Sequence, residues 1–306
     1  MGKVTYGGQK PPPKKRMPYQ KSAYRKSMFR LIWLQTSMML VDGNGDLVFA
    51  EHRGEEGGHF LGKVEVKRER LTVIARGKEA DLDDICLLDG AVVYAAHEKL
   101  RDKSRAIRAC LGTGKTDVLA EELGHEVRLA PMPGGDVAYA TIGGRHGVLR
   151  KGRYAAEDVR RCRGINAFAV DAEGARYVAH QRREGERFCS DLYKYPAGGG
   201  EGEPLMVGLG HSIKDLAVDS RGNVYILLWD AQDFGGHLIV FVPDPERPRI
   251  VALCEVDNGV RIQLLSDKCV MVFDHNCDVT RLDLSRKVET LRAAPVSVLR
   301  GGKFAE

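Results

Sequence analysis

Nine histidines are spread along the chain, and four of them share a setting that could support metal binding or general-base chemistry. These four, His52, His97, His180 and His275, each end a run of mostly apolar residues. Imidazole binds transition metals and accepts protons near neutral pH. One hypothesis is therefore a metal-dependent hydrolase or lyase with these four histidines as catalytic candidates. Its candidate metal ligands are His52, His97, His180, His275, Asp230 and Asp274, with Glu51 and Glu98 as further carboxylates.

The same residues permit a non-catalytic interpretation, in which histidines end strands or pack against neighbouring loops. No H-x-H or H-x-x-x-H pair is present, so the spacing does not bring two imidazoles together. The seven cysteines are scattered and include no C-x-x-C pair, which favours reduced thiols and an intracellular protein in the cytoplasm or nucleus. We prefer the non-catalytic interpretation and expect no cofactor.

A short glycine-containing segment, residues 109–116, matches a permissive P-loop pattern for nucleotide binding. A P-loop needs a buried strand before it and a helix after it, so that backbone N–H groups converge on phosphate. Neither context is indicated, and Ala109 stands where the pattern has its first glycine. We therefore predict a turn between two strands at residues 112–115.

The elements that carry these residues repeat along the chain. Three segments share the form V-D-x-x-G, at residues 41–45, 170–174 and 218–222. Each predicts strand, tight turn, strand, because glycine tolerates positive φ and aspartate bonds to the local backbone. Weaker copies lie between them and place the turns near residues 45, 90, 135, 174, 222 and 268.

Each period contains four short predicted strands and no long helical stretch. In the fourth period the predicted strands are residues 167–170, 175–180, 191–195 and 204–207. Four-stranded units of about 40 to 50 residues are typical of propeller blades. The sequence therefore predicts an all-β, six-bladed β-propeller over residues 29–306. Residues 29–34 and 296–299 are the candidates for the strands that close the ring.

Two of the repeats, residues 165–174 and 213–225, resemble NHL repeats, whose usual pattern is G-h-A-V-D-x-x-G-x-h-Y-V-A-D. The resemblance implies a fold and not an activity. WD-repeat propellers are the alternative because of two Gly-His pairs, but Trp229-Asp230 ends a second strand rather than a third. Propellers related to gluconolactonase hold calcium with inner-strand residues, and Asn166 matches such a place. Virginiamycin B lyase-like propellers use a histidine on one face, which keeps the enzyme hypothesis open.

The histidines all map to one face of such a propeller. Loops between second and third strands lie on the same face as the connections between blades. The residues assigned to these two kinds of loop are His52, His59, His97, His125, His146, His180, His211, His237 and His275. This face is therefore the candidate site under either hypothesis.

The charge of the chain is divided between a short basic arm and a mildly acidic remainder. The chain has 47 Lys and Arg against 42 Asp and Glu, and 43% of its residues are hydrophobic, which indicates a globular protein. Residues 1–30 contain nine of the cations and no Asp or Glu, so the remainder has 38 basic and 42 acidic residues. Prolines at 11–13 prevent helix formation, so we predict that residues 1–28 form an extended or disordered arm.

The arm combines cations with aromatic residues, a composition suited to contact with phosphates and unpaired bases. The candidate contact residues are Lys10, Lys14, Lys15, Arg16, Tyr19, Lys21, Tyr24, Arg25 and Lys26. Nuclear import through residues 14–16, insertion into an RNA-containing assembly and a solvated leader are the alternatives. We predict a propeller that binds protein partners on one face, with an arm that contacts RNA, a ribonucleoprotein or another acidic partner. No membrane contact is expected.

Overall fold

Six small antiparallel sheets surround a central channel in the computed structural model of this protein. The structure describes residues 38–52, 58–68, 70–77, 81–98, 103–150, 156–161, 164–184, 187–229, 235–244, 248–257, 259–274, 279–284 and 294–295. Apart from a two-residue strand at Ala294–Pro295, which joins the sheet of residues 212–257, each sheet is built from consecutive strands, so the blades are local segments of the chain. The predicted all-β, six-bladed β-propeller is confirmed.

The strands are numbered in chain order, with the first strand of each blade lining the channel. Blade 1 contains β1 (Met38–Val41), β2 (Leu47–His52), β3 (His59–Glu65) and β4 (Arg70–Gly77). Blade 2 contains β5 (Asp81–Leu88), β6 (Ala91–Glu98), β7 (Lys103–Cys110) and β8 (Thr116–Ala120). Blade 3 contains β9 (Val127–Pro131), β10 (Val137–Thr141), β11 (Arg145–Leu149) and β12 (Ala156–Arg161).

The second half of the ring follows the same order. Blade 4 contains β13 (Ile165–Val170), β14 (Arg176–Glu184), β15 (Arg187–Tyr195) and β16 (Glu203–Leu209). Blade 5 contains β17 (Ser212–Val218), β18 (Val224–Trp229), β19 (Gly235–Val242) and β20 (Arg249–Asp257). Blade 6 contains β21 (Gly259–Ser266), β22 (Cys269–Asp274) and β23 (Val279–Asp283), and β24 (Ala294–Pro295) pairs with β20. Short 3-10 turns occupy Val66–Arg68 and Pro133–Gly135.

The V-D-x-x-G segments form turns between first and second strands, as predicted. Asp42 Oδ1 accepts hydrogen bonds from the backbone N–H groups of Asn44 and Asp46, both at 2.9 Å. Gly45 has a φ of 81°, a conformation that favours glycine. Asp171 and Asp219 make the equivalent contacts in blades 4 and 5. The face that carries these turns is called the turn face below, and the opposite face is called the histidine face.

The core consists of apolar side chains packed between neighbouring blades. Both faces of a blade are covered, which is why second strands such as β6 and β18 are nearly continuous apolar runs. Met39 and Phe49 of blade 1 belong to one cluster with Met271 and Phe273 of blade 6. Side-chain packing therefore joins the first blade to the last and closes the ring.

The P-loop-like segment is a turn between β7 and β8, as predicted. The Cys110 N–H donates to the carbonyl oxygen of Lys115, and the Gly114 N–H donates to that of Cys110, both at 2.9 Å. Gly114 has a φ of 70°, and a Cβ atom there would lie 2.7 Å from the Ile74 carbonyl oxygen. A strand follows the turn, so there is no helix to bind phosphate.

Several strand boundaries differ from those predicted from the sequence, and other predicted segments lie outside the described residues. All four predicted strands of blade 4 are present but longer, and β15 begins at Arg187 rather than at 191. The predicted arm and the closing strands at 29–34 and 296–299 lie outside the described residues. Within the described part of the chain, no helix is long and apolar enough to cross a bilayer.

Candidate functional site on the histidine face

The described histidines other than His180 lie near the ends of second strands, near the starts of third strands or where one blade connects to the next, as the mapping predicted. His180 does not end its strand as predicted, because β14 continues for four residues beyond it. Their environments differ widely. His59 and His146 are 2% and 0% exposed, whereas the side chain of His125 is 46% exposed. The histidine face is therefore not a uniform array of accessible imidazoles.

Two of the four catalytic candidates, His97 and His180, lie at different registers of their strands. A bulge interrupts the first strand of both blades, at Asp83 in blade 2 and at Asn166 in blade 4. Counted from the turn face, the first residue of the second strand that pairs past the bulge is Ala96 in blade 2 and His180 in blade 4. His97 is the next residue after Ala96. Because successive side chains of a strand point to opposite sides, His97 and His180 face opposite sides of their blades.

His97 belongs to a polar cluster between blades 2 and 3. Its Nδ1 atom lies 3.2 Å from the Ser104 hydroxyl oxygen, and that hydroxyl donates to Asp83 Oδ2 at 2.5 Å. Asp83 Oδ2 also accepts from the Val127 N–H at 3.1 Å, and burial raises the pKa of the Asp83 carboxyl. In a catalytic triad the histidine lies between serine and carboxylate, whereas here Ser104 is in the middle and 0% exposed. The cluster joins two blades and does not activate a nucleophile.

His180 and His146 take part in aromatic packing in blades 3 and 4. The His180 ring packs edge-on against Tyr193 at 5.4 Å between centroids, and its Nε2 atom lies 3.4 Å from the Tyr195 hydroxyl. The buried His146 ring lies 5.3 Å from that of Tyr195. These contacts account for both side chains through packing.

In the part of the chain that the structure describes, no group of three or more His, Cys, Asp or Glu side chains is placed to hold a metal ion. His97 and His180 belong to separate clusters, and Asp274 is partly exposed at the end of β22. The His52 side chain, Asp230 and His275 lie outside the described residues. The metal-site hypothesis therefore stays a prediction for those three.

Charged side chains cross the central channel, a feature that the sequence reasoning missed. Arg261 on β21 donates through Nη1 to Asp84 Oδ1 and through Nη2 to the Ile85 carbonyl oxygen, the latter at 2.5 Å. Blade 1 separates these two partners along the ring, so the contact spans non-adjacent blades. Burial acts to lower the pKa of Arg261, but the carboxylates of Asp84 and Asp215 raise it above its ordinary value.

Asp84 and Asp215 occupy equivalent positions and hold their blades to the next one in the same way. Asp84 Oδ2 accepts from the Leu129 N–H of blade 3 at 2.8 Å. Asp215 Oδ2 accepts from the Ile262 N–H of blade 6 at 2.7 Å. Burial raises the pKa of Asp215 to about 6, although the charge of Arg261 opposes the change. These carboxylates fix the spacing of neighbouring blades.

Two amide side chains make similar contacts between blades. Gln263 Nε2 donates to the Val41 carbonyl oxygen and its Oε1 accepts from the Val41 N–H, both at 2.7 Å, which ties blade 6 to blade 1. Asn166 Nδ2 donates to the Ile213 carbonyl oxygen and lies 3.3 Å from the Ser212 hydroxyl. The residue that matched a calcium-binding position therefore joins blade 4 to blade 5.

The mouth of the channel on the histidine face carries positive charge. Lys214 is exposed, and its ammonium nitrogen lies 4.4 Å from the centre of the Trp229 ring. Partial desolvation lowers the pKa of Lys214, and the charge of Arg128 lowers it further. Lys214 beside its aromatic ring, with the charge of Arg128 nearby, forms a surface suited to an acidic group.

Neither a protein-family model nor a curated protein matches this chain. Solved structures do match it. The nidogen/laminin complex has a TM-score of 0.57 and 14% identity over 76% of this chain and 88% of the matched chain. Regucalcin from Agrobacterium tumefaciens, described as a calcium-binding protein, has a TM-score of 0.54 and 13% identity over 81% and 90%. YCF48 bound to a D1 peptide has a TM-score of 0.52 and 13% identity over 80% and 87%.

The shared feature is the β-propeller fold. At these levels of identity the similarity concerns the fold alone. The more specific NHL-repeat assignment stays a prediction. The nine candidate contact residues of the basic arm lie outside the described residues, and their role stays a prediction as well.

Proposed function

We propose that this protein is a non-catalytic propeller that binds a protein partner on its histidine face and contacts RNA, a ribonucleoprotein or another acidic partner with its basic arm. The observation that carries the proposal is the use of the inner-strand charges. Asp84, Asp215 and Arg261 connect blades to one another. A ring held in this way presents its loops on a rigid frame, so binding costs little ordering of the frame itself.

Two of the similar structures support the use of such a frame for binding protein. One is a complex of nidogen with laminin and another is YCF48 with a D1 peptide. The charge of this chain supports an acidic partner, because the arm has eight cations and the channel mouth adds Lys214 and Arg128. The arm and the channel mouth therefore favour the same kind of partner.

Removal of residues 1–28 tests the arm. We expect the full chain to bind a single-stranded RNA 20-mer with a steep salt dependence, because each neutralised phosphate releases counterions. Contact by all eight cations of residues 1–28 would give a slope of log K against log salt of roughly −6. Fluorescence anisotropy at several salt concentrations measures the slope. We expect the truncated protein to bind at least tenfold more weakly with a much flatter slope.

A matched control separates the arm from overall charge. Lys14→Gln, Lys15→Gln and Arg16→Gln together remove three cations from the arm, while Lys67→Gln, Lys115→Gln and Lys268→Gln remove three exposed cations from the propeller. We expect only the first set to weaken RNA binding. A polyglutamate peptide in the same titration separates nucleic acid from acidic protein. Equal RNA binding by the full and truncated chains would contradict the role of the arm.

A further inference from the structure

Arg176, the first residue of β14, is buried without the partners that a guanidinium group needs. It is 2% exposed. Its Nε and Nη1 atoms have no hydrogen-bond partner among the described residues, and Nη2 donates to the Ala197 carbonyl oxygen at a long 3.4 Å. Arginine stays protonated in proteins, so a fully charged guanidinium group is left with N–H donors that make no hydrogen bond to the described residues. Such a group needs a specific explanation.

The other blades show that the fold does not require a cation at this position. At this position the second strands of the other five blades carry apolar residues that face the preceding blade and are at most 1% exposed, namely Leu47, Val92, Val137, Val224 and Val270. Burial of an unpaired charge destabilises a protein, and an apolar residue of similar size is the better choice for packing. Arg176 is thus a departure from the repeat that packing does not explain.

Arg176 lines a cavity of about 300 Å³ on the turn face, between blades 3 and 4. One part of the lining is apolar, with contributions from Met132, Val148 and Ala197. The other part carries Arg150 and two carboxylates. The volume is at the lower end of the range found for small-molecule pockets.

We propose that this cavity binds a monoanionic carboxylate with a short apolar body, and that Arg176 is the residue that recognises it. The carboxylate oxygens supply acceptors for the unused guanidinium donors. The apolar lining accommodates the body of the ligand. Asp136 and Glu173 also line the cavity and disfavour a dianion such as hydrogen phosphate. The site lies on the face opposite the histidine face.

Titration of the full chain with sodium propionate tests the site, with chloride at equal ionic strength as the reference. Two-dimensional NMR or calorimetry gives the affinity. We expect saturable binding by the wild type. We expect binding at least about tenfold weaker in Arg176→Leu, because a hydrogen bond to a charged group is lost. The equivalent residue of β2 is Leu47, so the leucine variant is expected to fold. Arg68→Leu, at an exposed arginine of blade 1, is the matched control and is expected to bind as the wild type does.

Two further titrations identify the chemical class and the source of the ligand. Inorganic phosphate at pH 7.5 is expected to bind more weakly than propionate, and tighter phosphate binding would overturn the choice of a carboxylate. The peptide acetyl-Gly-Glu-Gly-amide, compared with its Gln counterpart, tests a carboxylate presented by a partner protein. Binding of the Glu peptide and not the Gln peptide supports a partner side chain, while binding of propionate alone supports a free small acid. Equal propionate binding by the wild type and Arg176→Leu, or no binding by either, would overturn the proposal.

Discussion

Two arginines, the partly buried Arg261 and the fully buried Arg176, differ in the groups that their guanidinium atoms contact. Arg261 lies in the central channel, where it donates to the Asp84 carboxylate and to the Ile85 carbonyl oxygen, with Asp215 nearby. Arg176 lies between blades on the turn face and has one long contact to a carbonyl oxygen. The first arginine is part of the frame. The second has one long hydrogen bond among the described residues and lines a cavity.

This difference shows how a buried charge can be interpreted in a repeat protein. A charge with partners from other blades stabilises the ring geometry, because each partner removes part of the cost of desolvation. A charge without partners, at a position where the other blades have apolar residues, carries a cost that packing does not recover. Substitution by leucine is therefore expected to destabilise the protein at Arg261 and to stabilise it at Arg176.

Arg261→Leu is expected to have the largest effect. It leaves the carboxylates of the buried Asp84 and the partly buried Asp215 without their cation, so we expect a loss of about 3–5 kcal/mol in the free energy of unfolding. Urea denaturation at pH 7 measures the loss. Arg261→Lys keeps the charge and is expected to lose less. A loss below about 1 kcal/mol for the leucine variant would show that Arg261 is not part of the frame.

The raised pKa of Asp215 makes the free energy of unfolding depend on pH. Its pKa is raised from 3.8 to about 6 in the folded protein, so the folded state binds a proton more tightly than the unfolded chain does. The free energy of unfolding should therefore fall as pH rises from about 4 to about 6, by roughly 3 kcal/mol from this group. Asp215→Asn keeps an acceptor for Ile262, and its stability relative to the wild type should increase over that window. Arg261 and Asp84 face the group and remain in both proteins. Parallel pH profiles for the two proteins would contradict this origin.

Arg176→Leu is expected to stabilise the protein, by about 2 kcal/mol, because it replaces an unpaired buried charge with an apolar side chain. The opposite sign from Arg261→Leu makes this the most direct test of the comparison. Thermal denaturation of both variants measures it. A loss of stability at both sites would show that Arg176 has structural contacts equivalent to those of Arg261.

Gln263→Ala is expected to have the smallest effect. It removes two hydrogen bonds to the Val41 backbone at the junction of blades 6 and 1, and we expect a loss of about 1–2 kcal/mol. Gln263→Glu retains the acceptor for the Val41 N–H and should be intermediate at low pH. Hydrogen exchange at Val41 provides a local measurement, and unchanged protection in the alanine variant would contradict a role in joining these blades.

Much of the fold could be predicted from the sequence because its repeat is local. The Asp and Gly of each V-D-x-x-G turn act within five residues, so Asp42, Asp171 and Asp219 could be recognised as turn residues without long-range information. The register of the histidines could not be predicted from the sequence. His97 lies one residue beyond the position that His180 occupies, so the two face opposite sides of their blades, and the bulges against which this register is counted leave no distinct signal in the pattern of apolar residues.

The number of blades, the order of strands within a blade and the division of charge between a basic N-terminal segment and a mildly acidic remainder follow from the amino-acid sequence alone. These depend on local turn chemistry, periodicity and composition. The pairing of charged residues depends on the tertiary structure, because Arg261 and Asp84 are 177 residues apart along the chain and come together only when the ring closes. The same is true of Arg176, whose unused donors were apparent only after the surrounding blades had packed around it.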